Sequence, residues 1–269
     1  MPAPTNKLKK ALKEGDMQIG LWLGTAHPMI AEIGASAGYD WCLIDGEHAP
    51  NDVPTILAQL QAMNGGAATA VVRVPVGQDW VLKQMLDIGV QTLMVPMVET
   101  AEDATAMARA VRYPPDGVRG LAAGMIRASG YNAIPDYATT ANDEICLIVQ
   151  VESAHAIENI DAIANTEGVD VVFIGPADLS ADMGYTGNAD APEVVAAIKH
   201  AVERIRAAGK AAGIITYGGG NYSYYQGIGV TFLGLGADVT VIAGALRELA
   251  AETRERLGGV SESSSRTLG

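Results

Sequence analysis

Polar side chains close four hydrophobic runs of this sequence, at the points where buried strands would end. The runs and their closing residues are WCLIDGEH with Asp45 and His48, TAVVRVP with Arg73, ICLIVQVE with Gln150 and Glu152, and VDVVFIGPAD with Asp178. In parallel α/β barrels, functional side chains gather at the carboxyl ends of the strands. The pattern therefore predicts one site that combines carboxylates, a base and a guanidinium.

Glu152 and Asp178 could share one metal ion, since they would end successive strands. Two carboxylates completed by water and substrate oxygens are typical of a Mg²⁺ or Mn²⁺ site. Either carboxylate could instead form an ion pair or cap the following helix. The presence of the pair, with Gln150 beside it, favours the metal site, although the spacing does not choose the metal.

His48 and Arg73 would supply acid–base and charge-stabilising chemistry. A neutral imidazole suits a general base near neutral pH, and Asp45 could orient it or raise its basicity. The alternatives for His48 are a structural histidine and a metal ligand. Arg73 lies between apolar residues, where a guanidinium is costly unless it meets an anion. It is therefore interpreted as a clamp for a substrate oxygen.

Two glycine-containing segments could contact an anion. IGPADLS places Gly175 and Pro176 before Asp178 at a helix entry, where backbone N–H groups bind carboxylates and phosphates well. The triple glycine 218–220 in TYGGGNY lacks the GxxxxGK[ST] pattern of a phosphate-binding loop. We interpret 217–226 as a flexible barrel loop whose tyrosines shape a pocket or an interface.

The elements that must position these residues are eight short β-branched runs, which alternate with helix-like segments. The predicted strands are 17–24, 41–46, 68–74, 92–97, 145–152, 169–175, 211–216 and 230–235. Near-continuous apolar runs are typical of parallel strands buried on both faces. A single-domain (β/α)8 TIM barrel over 1–269 is favoured over a doubly wound open sheet, because the candidate residues end four different strands.

Three segments extend this pattern. Connection 98–144 begins as a helix and continues as a long Gly- and Pro-rich stretch, which is typical of a functional lid or an interface segment. SAHAIENIDAIA is predicted to form a helix with Ser153 as its N-cap. Residues 258–269, GGVSESSSRTLG, are expected to form a flexible tail.

Composition excludes several classes of partner. With 31 Asp+Glu against 18 Lys+Arg, the net charge of −13 argues against a nucleic-acid surface. The N-terminal segment lacks the apolar core of a signal peptide, and no run reaches the roughly 20 apolar residues of a membrane span. Cys42 and Cys146 lie within apolar runs, which indicates buried, reduced thiols. A cytoplasmic protein with no membrane partner is expected.

Several motifs taken together resemble a known family. GLWLG, WCLIDGEH, VVRVP, GVRG followed by RAS, VQVES and FIGPADLS are similar to motifs of the metal-dependent class II pyruvate aldolases, of the 4-hydroxy-2-oxoheptane-1,7-dioate and 2-keto-3-deoxyglucarate aldolase type. The resemblance runs from about residue 8 to residue 256. It implies a modified (β/α)8 barrel, often a homohexamer built as a trimer of dimers, with C-terminal helices exchanged between subunits.

The resemblance also implies ligands for a metal and for a substrate. Glu152 and Asp178 would bind a divalent cation, namely Mg²⁺, Mn²⁺ or Co²⁺, with Zn²⁺ as an alternative. Pyruvate would be held by Gln150 and Asp178 and by the backbone N–H groups of Ala177 and Asp178, with Gly175 also among the substrate-binding residues.

The remaining candidates would act on the reacting atoms. His48 would be the catalytic base, with Asp45 close to it. Asp87, in QMLDIG, matches a family carboxylate that raises the basicity of the histidine. Arg73 would stabilise the enolate and the developing alkoxide.

The implied activity is that of a lyase. It would cleave 4-hydroxy-2-oxo acids reversibly to pyruvate and an aldehyde, through an enolate stabilised by the divalent metal. Loop 217–226 departs from the family pattern, which leaves the aldehyde open. The alternatives are oxaloacetate decarboxylation, carbon–carbon bond formation of the macrophomate synthase type, and a non-catalytic barrel that serves as a sensor or scaffold.

Overall fold

Eight parallel strands form a closed barrel in a computed structural model, which describes residues 1–216 and 221–257. The strands are β1 (Gln18–Leu23), β2 (Trp41–Asp45), β3 (Thr69–Arg73), β4 (Thr92–Val95), β5 (Cys146–Val151), β6 (Val171–Ile174), β7 (Ala211–Ile215) and β8 (Val230–Ala237). Each strand pairs with the next along the chain, and β8 pairs with β1. The predicted TIM barrel is therefore confirmed, and the open doubly wound sheet is excluded.

Helices lie outside the barrel, and most of them connect one strand to the next. They are α1 (Lys7–Glu14), α2 (Pro28–Ser36), α3 (Val53–Ala62), α4 (Asp79–Asp87), α5 (Ala101–Ala110), α6 (Tyr137–Thr140), α7 (Ala154–Glu158), α8 (Ile160–Ala164), α9 (Pro176–Asp182), α10 (Pro192–Ala207), α11 (Tyr222–Ile228) and α12 (Asp238–Arg256). In the described part of the chain, no helix is both long enough and apolar enough to cross a membrane.

Aromatic rings fill the inside of the barrel. Trp41 stacks on Phe232 with ring centroids 4.0 Å apart, and Trp22 meets Trp41 edge-on at 5.5 Å. Gly20 pairs with Trp41 across β1 and β2, and a Cβ atom on Gly20 would lie only 2.0 Å from the indole ring. The interior is therefore a packed core, and this core requires glycine at the point where β1 passes Trp41.

Helix α1 closes the amino-terminal end of the barrel. Leu8 and Leu12 join the interior cluster of apolar side chains. The side chain of Asn6 caps α1 and donates hydrogen bonds to the Gln91 carbonyl at 3.2 Å and to Thr92 Oγ1 at 3.0 Å. Helix α1 therefore covers the barrel interior at this end, opposite the strand ends that carry the candidate site residues.

The segment predicted as one helix after β5 forms two shorter helices, α7 and α8. Ser153 caps the first as predicted, since its Oγ accepts a hydrogen bond from the Ala156 N–H at 3.0 Å. Asn159 ends α7, and its side chain donates to the Glu99 carbonyl at 3.0 Å. This tertiary contact interrupts a helix that local periodicity alone predicts to be continuous.

The part of the long β4–β5 connection that follows α5 lies at the amino-terminal end of the barrel. After α5 returns the chain to that end, the connection forms a small apolar cluster of its own. The cluster consists of Ala3, Tyr113, Ile126, Tyr137 and Ala141. This segment therefore does not cover the site of its own chain, and the prediction of a lid is wrong in that respect. A role in an interface stays a prediction.

Other expectations concern the cysteines, the glycine loop and the tail. Cys42 and Cys146 are buried and unbonded to each other, as predicted, and burial raises the pKa of Cys42 to about 12.

Residues 217–220 and the predicted tail 258–269 lie outside the described residues. The second half of loop 217–226 belongs to α11, which contains Tyr222, Tyr224 and Tyr225.

Replacing Gly20 tests the packing of the barrel interior. We expect Gly20→Ala to lower the free energy of unfolding by about 2–3 kcal/mol, because the added methyl group overlaps the Trp41 ring. Thermal and urea unfolding followed by circular dichroism measure this loss. Gly227→Ala is the matched control: its Cβ meets nothing within 4 Å in α11, and its stability should stay within about 1 kcal/mol of wild type. Wild-type stability of Gly20→Ala would show that the interior can widen.

Candidate active site

The carboxyl ends of β2, β3, β5 and β6 surround a cavity of about 310 Å³. The cavity is lined by every residue predicted for the site except Asp45 and Asp87. These lining residues are His48, Arg73, Gln150, Glu152, Gly175, Ala177 and Asp178. An adjoining cavity of about 410 Å³ shares His48, Glu152 and Asp178 with it. The structure thus brings together side chains that are far apart in the sequence.

Arg73 and Asp45 form a buried ion pair behind the cavity. Arg73 donates from Nε to Asp45 Oδ1 at 2.9 Å and from Nη2 to Asp45 Oδ2 at 2.6 Å. Burial tends to raise the pKa of Asp45, but the hydrogen bonds and charge of Arg73 outweigh it, and the pKa is lowered. A paired guanidinium of this kind keeps its charge and is fixed in direction.

Asp45 also shapes the turn that carries His48. Its Oδ1 atom accepts the backbone N–H groups of Glu47 at 3.0 Å and of His48 at 3.3 Å. The His48 side chain is 68% exposed and faces both cavities. Asp45 therefore contacts the histidine through its backbone, and its predicted effect on the basicity of the ring stays a prediction.

Glu47 is a site residue that the sequence interpretation missed. Its Oε2 atom lies 2.9 Å from Arg73 Nη1 and 3.8 Å from His48 Nε2, and its side chain is 13% exposed. Burial raises the pKa of Glu47, and the charges of Asp45 and Asp178 raise it further, against the opposing effect of Arg73 and His48. The sequence feature that could have identified Glu47 is its place in the motif DGEH, between the candidate residues Asp45 and His48.

Glu152 is held by two donors at the mouth of the barrel. Gln150 Nε2 donates to its Oε2 atom at 2.6 Å, and the Met97 N–H donates to Oε1 at 2.9 Å. Burial raises the pKa of Glu152, the two hydrogen bonds oppose this, and the charges of Glu47 and Asp178 add to the increase. The carboxylates at this face therefore repel one another, which favours a bound cation.

Two backbone features allow Glu152 to sit where it does. Met97 has a φ of +56°, a left-handed conformation that is unusual for a side chain of this size and that accompanies its N–H bond to Glu152. A Cβ on Gly175 would lie 2.7 Å from Glu152 Oε2. Gly175 donates its N–H to the Val151 carbonyl at 3.0 Å, so it contributes space to the site rather than a free donor.

The first turn of α9 offers backbone donors at the cavity wall. Ala177 and Asp178 follow Pro176 at the start of this helix, so their N–H groups have no acceptor one helical turn earlier. Both residues line the cavity. The predicted position of an anion near these donors is thus compatible with the geometry.

The donors at this face suit a hard divalent cation. Glu152 and Asp178 offer carboxylate oxygens to both cavities, and Gln150 Oε1 is buried without a hydrogen-bond partner among the described residues. Residues 1–216 and 221–257 contain no group of three or more His, Cys, Asp or Glu side chains arranged around a metal position. Water and substrate oxygens would therefore complete the coordination, as is common for Mg²⁺.

Asp87 lies at the opposite end of the barrel. It is the last residue of α4, which runs from the carboxyl end of β3 towards the amino end of β4. Its Oδ1 atom accepts a hydrogen bond from Arg119 Nη2 at 2.9 Å, and it lines neither cavity. Within one chain the structure does not bring Asp87 to His48, because the direction of the helix carries it away from the strand ends.

An apolar wall completes the smaller cavity. Trp22, Phe173 and Ile215 line it beside the charged groups. The sequence interpretation did not single them out, because strand residues that face the interior of a barrel look like core residues in a sequence. Polar groups on one side and apolar groups on the other are typical of small-molecule sites.

The sequence is similar to known proteins over most of its length. The family model "HpcH/HpaI aldolase/citrate lyase" matches residues 18–245. A hydroxypyruvate/pyruvate aldolase from Agrobacterium fabrum is 51% identical over 267 residues, which cover 99% of each chain. A 4-hydroxy-2-oxo-heptane-1,7-dioate aldolase from Escherichia coli is 51% identical over 246 residues, 91% of this chain and 94% of that protein.

A solved structure shows the same relationship. The crystal structure of an HpcH/HpaI aldolase/citrate lyase family protein from Burkholderia cenocepacia is 40% identical and superposes with a TM-score of 0.90. The match covers 93% of this chain and all of the other. Since the family model spans most of the sequence, and relatives at about half identity match over nearly their full lengths, this chain belongs to the HpcH/HpaI aldolase/citrate lyase family and is a carbon–carbon lyase.

Proposed function

We propose that this enzyme cleaves 4-hydroxy-2-oxo acids reversibly to pyruvate and an aldehyde. The observation that carries the proposal is the cavity where Arg73, His48, Gln150 and the carboxylates of Glu152 and Asp178 meet. The names of the aldolase relatives support pyruvate as one product. These names do not favour oxaloacetate decarboxylation, macrophomate-synthase-like chemistry or a non-catalytic barrel.

Glu152 and Asp178 would hold a divalent cation, which we take to be Mg²⁺, Mn²⁺ or Co²⁺, with Zn²⁺ as an alternative. When bound, such an ion acts as a Lewis acid that polarises the keto group of the substrate. Gln150 orients Glu152 through its 2.6 Å hydrogen bond. The N–H groups of Ala177 and Asp178 would bind the carboxylate of pyruvate, in the space that Gly175 leaves open.

His48 and Arg73 would handle the proton and the charge. His48 removes a proton from the methyl group of pyruvate, and the enolate so formed attacks the aldehyde; cleavage is the reverse. The Arg73 guanidinium, held in place by Asp45, offsets negative charge on the substrate oxygens. The apolar wall of Trp22 and Phe173 keeps water from the reacting carbon.

We further propose that the chain assembles as a hexamer, a trimer of dimers with α12 exchanged between subunits. Within α12 only Asp238 is buried. Val239, Ile242, Leu246 and Leu249 recur at spacings of three or four residues and are exposed, so they form an apolar stripe that no other part of the described chain covers. The cytoplasmic location expected from the sequence stays a prediction.

Substitution of Arg73 tests its role as the clamp. We expect Arg73→Ala to lower kcat about 10²–10³-fold, because a preorganised charge partner of the transition state is lost. Arg73→Lys should retain part of the activity, since it keeps the charge but loses the forked geometry. Pyruvate release, measured with a coupled dehydrogenase, gives both values.

The control for Arg73 is Arg204→Ala. Arg204 is exposed and pairs with Asp161 on the outside of the barrel, so its removal should change kcat less than twofold. Wild-type turnover in both Arg73 variants would contradict the proposed role. Thermal unfolding of each variant separates lost chemistry from lost folding, because Arg73→Ala leaves Asp45 buried without its partner.

Metal removal tests the reaction class. We expect a chelator to abolish pyruvate release from 4-hydroxy-2-oxo acids, and Mn²⁺ or Mg²⁺ to restore it. Among the described residues no lysine lines either site cavity, so borohydride added with pyruvate should trap no adduct. A trapped lysine adduct, or release that persists after complete metal removal, would refute the metal-dependent mechanism.

Charge placed on the apolar stripe of α12 tests the assembly. We expect Leu246→Asp with Leu249→Asp to convert the hexamer to smaller species, because the exposed leucines would be buried between subunits. Light scattering after size-exclusion chromatography measures the mass. Glu248→Lys, which changes a charge on the same helix outside the stripe, should leave the mass unchanged. A wild-type monomer would contradict the proposal.

A further inference from the structure

Glu47 is a half-buried residue whose carboxylate Oε2 atom is buried, and the proposed mechanism gives it no task. Its Oε2 atom lies between two groups that the reaction uses, 2.9 Å from Arg73 Nη1 and 3.8 Å from His48 Nε2. It also lines the larger cavity, beside Glu152 and Asp178. One side chain therefore connects the residue proposed as the clamp with the residue proposed as the base.

The fold does not require this carboxylate. The turn after β2 is held by Asp45, whose side chain accepts two backbone N–H groups and whose carbonyl accepts a hydrogen bond from Asn51 Nδ2 at 2.8 Å. Arg73 already has two well-aligned hydrogen bonds to Asp45. Glu47 Oε2 is buried and accepts no well-aligned hydrogen bond from any residue that the structure describes. Buried carboxylates that support a fold are normally hydrogen-bonded, so the position of Glu47 indicates function.

We propose that Glu47 is a positioning residue that holds the His48 imidazole against the Arg73 guanidinium, so that the base and the clamp act from fixed positions. This inference rests on the proposed aldolase function. The C–H bond of the pyruvate methyl group breaks, its proton passes to the imidazole, and its electron pair stays on the substrate as the enolate. Glu47 remains ionised throughout, and it faces the imidazolium that results.

The structure predicts which step depends on Glu47. Asp45 still holds two guanidinium nitrogens when Glu47 is changed, so substrate binding through Arg73 should persist. The imidazole, in contrast, is 68% exposed, and among the described residues no other carboxylate lies within 4.0 Å of it. A loss of Glu47 should therefore reduce the rate of proton removal more than the affinity for pyruvate.

The test is exchange of the pyruvate methyl protons in D₂O with Mg²⁺ and no aldehyde, followed by proton NMR on the full-length enzyme. Glu47→Gln keeps the length of the side chain and removes its charge, whereas Glu47→Asp keeps the charge and loses the reach by one methylene. We expect the exchange rate at saturating pyruvate to fall at least tenfold in both variants. Half-saturating pyruvate and Mg²⁺ concentrations should change less than threefold.

Glu99→Gln is the matched control. Glu99 lines the same larger cavity and is exposed, and its side chain accepts a hydrogen bond from Ser153 Oγ rather than from a group of the mechanism. The same chemical change at Glu99 should alter the exchange rate less than twofold. This comparison separates the contact made by Glu47 from the general negative charge of the cavity.

Four outcomes would overturn the role of Glu47. The first is a wild-type rate of methyl-proton exchange in Glu47→Asp, and the second is an equal fall of that rate in Glu47→Gln and Glu99→Gln. The third is a defect that appears only as weaker pyruvate binding, and the fourth is unfolding of both Glu47 variants, as measured by circular dichroism. Absence of methyl exchange in the wild-type enzyme would instead refute the proposed function itself. Normal wild-type exchange with unimpaired variants would refute only the role of Glu47.

Discussion

The buried pair of Arg73 and Asp45 is the interaction on which the site depends. The two residues face each other directly in the register of β2 and β3, so pairing of the strands brings a guanidinium onto a carboxylate. Neither charge is stable at that depth without the other. Because Asp45 also accepts the backbone N–H groups that shape the following turn, one ion pair fixes both the Arg73 guanidinium and the segment that carries His48.

The charge balance of the cavity follows from the same arrangement. Once Asp45 neutralises Arg73, the carboxylates of Glu47, Glu152 and Asp178 have no full countercharge among the described residues around them. Burial and mutual repulsion raise the pKa of Glu47 and of Glu152. A divalent cation would relieve this repulsion, so the proposed oxygen-rich metal site is compatible with the buried ion pair at the barrel mouth.

The barrel and most of the cavity lining could be predicted from the sequence. In a parallel barrel the carboxyl ends of all strands lie at one face, so a residue that follows an apolar run in the sequence also lies at that face. His48, Arg73 and Glu152 follow apolar runs and therefore meet at one face. Asp87 illustrates the limit of that reasoning. Its motif matches a family position, but within one chain the direction of α4 places it at the opposite end of the barrel, so its effect on the basicity of His48 stays a prediction.

Residues that depend on tertiary contacts were harder to predict. The N–H of Met97 reaches Glu152 only through a left-handed backbone conformation, and nothing in the local sequence requires it. Asn159 ends α7 because it reaches Glu99 across the surface of the barrel. Glu47 is not predicted from the sequence for a different reason. Its neighbours Asp45 and His48 already account for the polar residues of the DGEH motif, so nothing points to a third functional side chain there.

The apolar wall of the smaller cavity is also part of the barrel core, which limits the substitutions that this wall tolerates. Trp22 and Phe173 line the cavity and also belong to the cluster that fills the barrel, where their rings lie 5.5 Å apart. A substitution that enlarges the cavity at either ring also opens a void in the core, at a cost of about 3–5 kcal/mol for loss of a large aromatic side chain. Substrate range and thermal robustness are therefore coupled at this wall. Exposed residues at the mouth of the larger cavity, such as Met97, lie outside this cluster, so a smaller side chain there opens no void in the core.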